Sequence, residues 1–203
     1  MRFYTLFFSL FIFSCSEVVK EESFGDVTTQ QPSIIPAIQV YASNTDTDVK
    51  NGILYYKDTP YSGVYIVKFK NDRIKSKSQY LKGIKEGCTN KWYADGKKFE
   101  QRYYSNGHKV GVHTGWWNSG AKKFSYHFND LGQYQGSLTE WYNNGQVFRE
   151  FNYVNGRENG AQKAWKANGN IKANYEVVNG ERYGLIGLKK CFTVKKGQDK
   201  VTR

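Results

Sequence analysis

The sequence predicts an all-β protein: an elongated, single-layer array of five antiparallel β-hairpin units. Three observations predict it. Glycines recur about every 24 residues, aromatic pairs keep one offset from them, and turn dipeptides fall at two fixed places in each unit. Gly63, Gly87 and Gly111 are 24 apart, Gly136 follows after 25, and Gly160 and Gly184 after 24 each. Trp92, Trp116, Trp141 and Trp165 all stand five residues after an opening glycine. A fixed period of this length marks a repeat architecture, in which each unit buries its face against its neighbours.

The elements follow in order. The first strand of a unit ends in an aromatic pair, Trp92-Tyr93, Trp116-Trp117 or Trp141-Tyr142, with Trp165-Lys166 in the last unit. Asp95-Gly96, Ser119-Gly120, Asn144-Gly145 or Asn168-Gly169 comes next, a hairpin signal, because Gly adopts the positive φ of a tight turn and Asn or Asp tolerates it. The second strand carries Tyr80, Tyr104, Phe128, Tyr153 or Val177 near its end, and a second turn follows at Asn106-Gly107, Asn155-Gly156 and Asn179-Gly180. The one inserted residue falls in Asn129-Asp130-Leu131-Gly132, a loop, where insertion costs least. No stretch has a sustained helical period or a helix-start signal. Each of the five units over residues 63–183 therefore reads strand, turn, strand, loop, with caps at 51–62 and 184–194.

One face of the second strand is apolar. It carries Lys122, Phe124, Tyr126 and Phe128 in one unit, and Val147, Arg149, Phe151 and Tyr153 in the next. The paired aromatics of the first strand must point to opposite faces. A two-residue turn places the second of each pair on the apolar face, and a three-residue turn places the first there.

The pattern of opening Gly, Trp-Tyr, Asn-Gly or Asp-Gly, Lys, a late aromatic and a closing Gly resembles a MORN-variant repeat array. It is similar to the YwqK-type antitoxin family over roughly residues 51–192. The first unit departs from it, with Lys68-Phe69 for Trp-Tyr and Asn71-Asp72 for Asn-Gly, as terminal repeats do. The resemblance implies a single-layer β meander that acts as a scaffold, in some cases membrane-linked, or as an antitoxin.

Residues 1–14 read as a secretory signal, with an apolar run too short to cross a bilayer. Ile12-Phe13-Ser14-Cys15 resembles a bacterial lipobox, which makes Cys15 the lipidated first residue and anchors the chain without a spanning segment. An ordinary signal cleaved near Ser14 or Ser16 is the alternative. Residues 15–50 read as a flexible acidic tether, with 34–41 able to pack on the first strands. The expected location is the exported face of a bacterial membrane, outer membrane or periplasm-facing.

Charge is unevenly spread. The chain carries +12, residues 16–50 contribute −4, and residues 51–203 carry +15, including a basic tail at 195–203. A basic surface calls for an acidic partner. An exported chain does not meet nucleic acid, so the expected partner is a protein or an anionic envelope component. Lysines beside the turns, Lys97, Lys98, Lys122 and Lys123, also solubilise hairpin tips and discourage edge pairing.

The residues carry no pattern for catalysis or for a cofactor. His113 and His127 lie on one hairpin without a third ligand of comparable quality. Glu100, Glu140, Glu150 and Glu176 are scattered, and the glycines follow turn spacing rather than a phosphate loop. Cys88 and Cys191 sit about four units apart, too far for a disulfide in an extended sheet. The expected function is a non-enzymatic, lipid-anchored scaffold. Its interaction surface is drawn from Trp92, Tyr93, Trp116, Trp117, Trp141, Tyr142, Trp165 and the four lysines above. An antitoxin that binds a toxin directly and a carbohydrate-binding module are the alternatives.

Overall fold

The structure, a computed structural model, describes residues 34–187. The signal segment, Cys15, most of the tether, Cys191, the end of the second cap and the basic tail lie outside the described residues. Fifteen strands and no helix are present among the described residues. They begin with β1 (Gln39–Tyr41), β2 (Thr47–Lys50), β3 (Ile53–Tyr56) and β4 (Thr59–Pro60). The units are β5 (Gly63–Lys68) with β6 (Ile74–Leu81), β7 (Ile84–Trp92) with β8 (Lys98–Ser105), and β9 (His108–Trp116) with β10 (Lys122–Phe128). The fourth and fifth are β11 (Tyr134–Trp141) with β12 (Val147–Val154), and β13 (Arg157–Trp165) with β14 (Ile171–Val178). β15 (Glu181–Leu185) ends the series.

Twelve strands form one sheet in the order β1, then β5 through β15, and β2, β3 and β4 form a second, small sheet. The sequence expectation of an all-β hairpin array holds, with five successive units. Two expectations need correction. The array is not wholly antiparallel, because β1 pairs with β5 in parallel. Nor is the chain a tether up to residue 50: β1 falls in the stretch expected to pack on the first strands, and β2 is a further folded strand. The reason is the open edge of β5: Val40, buried with Leu54 and Tyr61 and packed by Tyr65 and Tyr80, covers the first unit, whose own face lacks tryptophan. A short edge strand also limits pairing with other chains.

The two turns of a unit differ. The second is a two-residue turn with both central residues at positive φ, as at Asn106 (48°) and Gly107 (80°), which matches the twist of the flanking strands; in the third unit the inserted residue makes it a three-residue loop closed by Asn129 N to Gln133 O. The first is a three-residue loop: Tyr93 N donates to Lys97 O and Gly96 N to Tyr93 O, each at 2.9 Å. Just beyond it a bulge inserts one more residue, so Trp92 faces Lys98 while Lys91 faces Glu100. The same shift recurs between Trp116 and Gly115, Trp141 and Glu140, and Trp165 and Ala164. A three-residue loop alone puts the tryptophans on the apolar face; the bulge reverses the parity. Tyr93, Trp117 and Tyr142 therefore join the apolar face, and the tryptophan row Trp92, Trp116, Trp141 and Trp165 faces the other way, together with Lys122 and Val147, which simple alternation assigns to the apolar face.

The second aromatic of each pair also ties units together. Tyr93 Oη donates to Trp116 O at 2.9 Å, Trp117 Nε1 to Trp141 O at 3.0 Å, and Tyr142 Oη to Trp165 O at 3.1 Å. Each bond spans one repeat, which explains why the aromatic pair recurs at repeat spacing. Replacing Tyr93 or Tyr142 by Phe removes only the donor. Each change is expected to lower unfolding free energy by about 1 kcal/mol. The sites are two units apart, so chemical denaturation of the double variant should show the sum.

The opening glycines create a second irregularity. At Gly87, Gly111, Gly136 and Gly160 φ is 65° to 75°, and pairing with the preceding strand shifts by two residues around each. A buried side chain replaces the lost ladder bonds in two units. His113 Nε2 lies 2.8 Å from Tyr103 O and 3.2 Å from Tyr103 N. Gln162 does the same on Asn152, accepting from N at 3.1 Å and donating to O at 2.8 Å. Both side chains are fully buried.

Candidate functional site

The apolar face is built by cross-strand packing along the sheet itself. Phe124 stacks on Tyr126, Phe128 on Tyr134, and His113 tilts against both Tyr104 and Phe128. Such pairs are the main stabilisers of a sheet face. Gly115 makes one of these contacts possible: a Cβ there would collide with the Phe124 ring lying across it.

Between the third and fourth units this face opens into a cleft of about 290 Å³. Trp117, Lys123, Phe124, Tyr126, Glu140, Trp141, Tyr142 and Phe148 line it. The Lys123 ammonium sits 4.4 Å from the Trp117 ring centroid, a cation held on an aromatic face. Tyr142 packs edge-on against Phe148 at 5.2 Å. At the cleft floor Glu140 accepts from the Tyr126 hydroxyl and pairs with Arg149 at 2.7 Å. Burial, then the hydrogen bond and negative charge of Glu140, push the Tyr126 phenol well above its ordinary range. Tyr126 is thus a neutral donor at physiological pH, and Glu140 is committed as an acceptor.

A related charge cluster lies in the second unit. Glu100 is 4% exposed and pairs with Lys91 at 2.6 Å and Arg102 at 2.8 Å. Burial raises its carboxyl pKa, and the bonds from Arg102 and Lys91 outweigh burial, holding it below the ordinary value. Lys91 facing Glu100 and Glu140 facing Arg149 occupy the same two positions of the unit with the charges exchanged. Sequence reading took Glu100 and Glu140 as scattered and missed both pairs. Overlaying Lys91 on Glu140 and Glu100 on Arg149 at the repeat offset is the signal that reveals them.

The structure divides the sequence-selected residues into two groups. Trp117, Tyr142 and Lys123 meet in the cleft, where Trp141, whose carbonyl accepts from Trp117 Nε1, is also part of the lining although its side chain belongs to the other row; Tyr93 occupies the place of Trp117 one unit earlier, packed on Phe99 at 5.0 Å. Trp92, Trp116 and Trp165 join Trp141 in the row on the opposite face. There the ammonium of Lys98 lies 5.7 Å from the Trp116 ring and that of Lys122 lies 5.9 Å from Trp141. Lys97 serves its own turn and its neighbour, bridging to Asp95 at 3.4 Å and donating to Asn118 O at 3.0 Å. Cys15 lies outside the described residues.

The histidines do not meet. His113 faces the buried side, and His127, between the inward Tyr126 and Phe128, belongs to the other. Among the described residues no group of three or more His, Cys, Asp or Glu is placed to hold a metal. Burial, and then the charges of Arg102 and Lys109, hold the His113 pKa below its ordinary value despite the hydrogen bond to Tyr103. The unfolded chain takes up a proton near pH 6.5 while the folded chain resists it, so unfolding absorbs a proton. Stability is expected to fall as the pH drops below about 6.5. Gln makes equivalent bonds at position 162, so His113→Gln should fold and lose that part of the acid sensitivity in a pH series of urea melts.

No protein-family model matches the chain, and no curated protein matches it.

Proposed function

We propose that this chain is a non-enzymatic interaction scaffold, lipid-anchored through Cys15 to the exported face of a bacterial membrane, that docks a protein or an anionic envelope component. One observation carries the reading: lysines seated on aromatic rings recur from unit to unit, and one of them, Lys123 on Trp117, borders an open aromatic cleft. Rings with cations on their faces offer apolar contact and positive charge together, which suits an acidic partner with an apolar group. Glu140 already holds a phenol and a guanidinium, an arrangement that supports orientation of the cleft rather than proton transfer. The resemblance to MORN-variant arrays points the same way.

Two measurements test it. Metabolic palmitate labelling should mark the wild type and not Cys15→Ala; equal labelling refutes the anchor. Crosslinked pull-down from envelope extracts should enrich a partner with the wild type and lose it with Lys123→Glu. Absence of any partner, or one indifferent to that reversal, refutes the cleft as the docking site.

A further inference from the structure

We infer that the face carrying Trp92, Trp116, Trp141 and Trp165 binds an extended, acidic, β-linked polysaccharide running across the strands. The inference rests on the scaffold reading and names the ligand class for this second face. Three features carry it. The first is spacing: the tryptophans occupy alternate strands, β7, β9, β11 and β13, and are therefore roughly 10 Å apart. A β-linked glycan presents a like sugar face at every second residue, so one indole can serve each disaccharide along the row.

The second feature is the row beside the tryptophans. Thr114, Ser125 and Thr139 face one another in register across β9, β10 and β11, two residues from Trp116 and Trp141 along their strands. Hydroxyls in line beside stacked rings match the equatorial hydroxyls along a sugar edge. The tryptophans and these hydroxyl residues are half-buried, whereas the fully buried residues of β8 to β14 all lie on the opposite face.

The third feature is charge. Lys98 and Lys122, both exposed, stand on the strands between the tryptophans and lean over Trp116 and Trp141. They place a cation beside the two central tryptophans of the row, which selects a glycan bearing carboxylates over a neutral one. The chain's net charge of +12 favours the same encounter.

Affinity electrophoresis of the full chain tests this with three polymers. These are carboxymethylcellulose, hydroxyethylcellulose with the same backbone and no carboxylates, and polyglutamate with carboxylates and no sugar. Carboxymethylcellulose should retard the protein most. Lys98→Gln/Lys122→Gln, confined to exposed side chains, should weaken that retardation roughly tenfold and leave any weak hydroxyethylcellulose binding unchanged. Trp116→Ala/Trp141→Ala should abolish binding to both glycans while leaving polyglutamate unaffected, with an unchanged far-ultraviolet circular dichroism spectrum reporting that the variant is folded. Equal retardation by polyglutamate and carboxymethylcellulose, or glycan binding indifferent to either double variant, overturns the inference. Trp141 also lines the cleft, so the two readings are separated by the lysines: Lys123→Glu should keep glycan binding, and Lys98→Gln/Lys122→Gln, outside the cleft, should keep the Lys123-dependent partner.

Discussion

Gly115→Ala is expected to lower the unfolding free energy of the array by about 1–3 kcal/mol, the range for overpacking a close-fitted interior. Gly115 has no positive φ, so its backbone accepts alanine. The cost comes from Phe124, whose ring lies across the glycine, stacks on Tyr126 with centroids 4.5 Å apart, and has Arg102 over it at 5.7 Å. An added methyl lifts that ring and loosens both contacts. Phe124→Ala alone should cost about 3–5 kcal/mol, as large buried aromatics do. In the Phe124→Ala background the glycine substitution should cost almost nothing, because the fifth unit already holds Ala164 and Ala173 at these two positions. Urea melts of the four proteins give the coupling; equal costs in both backgrounds would show that Phe124 is not the cause.

Gln162→Leu is expected to cost about 2–4 kcal/mol through the backbone rather than through packing. Leucine fits the position, since Leu138 stands at the corresponding place in the fourth unit and is buried. The substitution leaves Asn152 N–H and C=O without the bonds that the carboxamide supplies in the bulge. Amide hydrogen exchange should report the loss directly at Asn152. Gln162→His should retain most of the stability at neutral pH, because His113 serves Tyr103 in the same manner, and should add sensitivity below about pH 6.5. A leucine variant as stable as the wild type would refute the bulge as the reason for a buried amide here.

The repeat register and both turn positions were legible because each rests on short-range chemistry. Gly107 and its asparagine need positive φ, and that requirement is visible in two letters. The face of the tryptophan row was not legible: the three-residue loop and the bulge at Phe99 each change strand parity, and only their sum decides which aromatic faces inward. Sequence reading also placed residues 15–50 in a tether, allowing 34–41 to pack on the first strands but giving neither the parallel pairing of β1 nor the strand β2. No local pattern shows that Val40 covers the edge of β5, because the contact depends on β3 and β6 being in place.

The candidate site divides along the same line. Trp117, Tyr142 and Lys123 stood out by residue type, but their meeting with Glu140, Tyr126 and Arg149 depends on register between units. The buried polar residues His113 and Gln162 belong to no motif, since their partners are backbone atoms exposed only by a bulge.

By itself the sequence determined a five-unit hairpin array, where its turns fall and how strongly basic it is, because period, turn chemistry and charge are properties of neighbouring residues. Only the tertiary structure decided which aromatics are inward, which charges pair and how the first edge is covered. A one-residue shift in pairing moves every side chain of a strand to the other face, and that shift is set by loops, bulges and cross-strand contacts acting together.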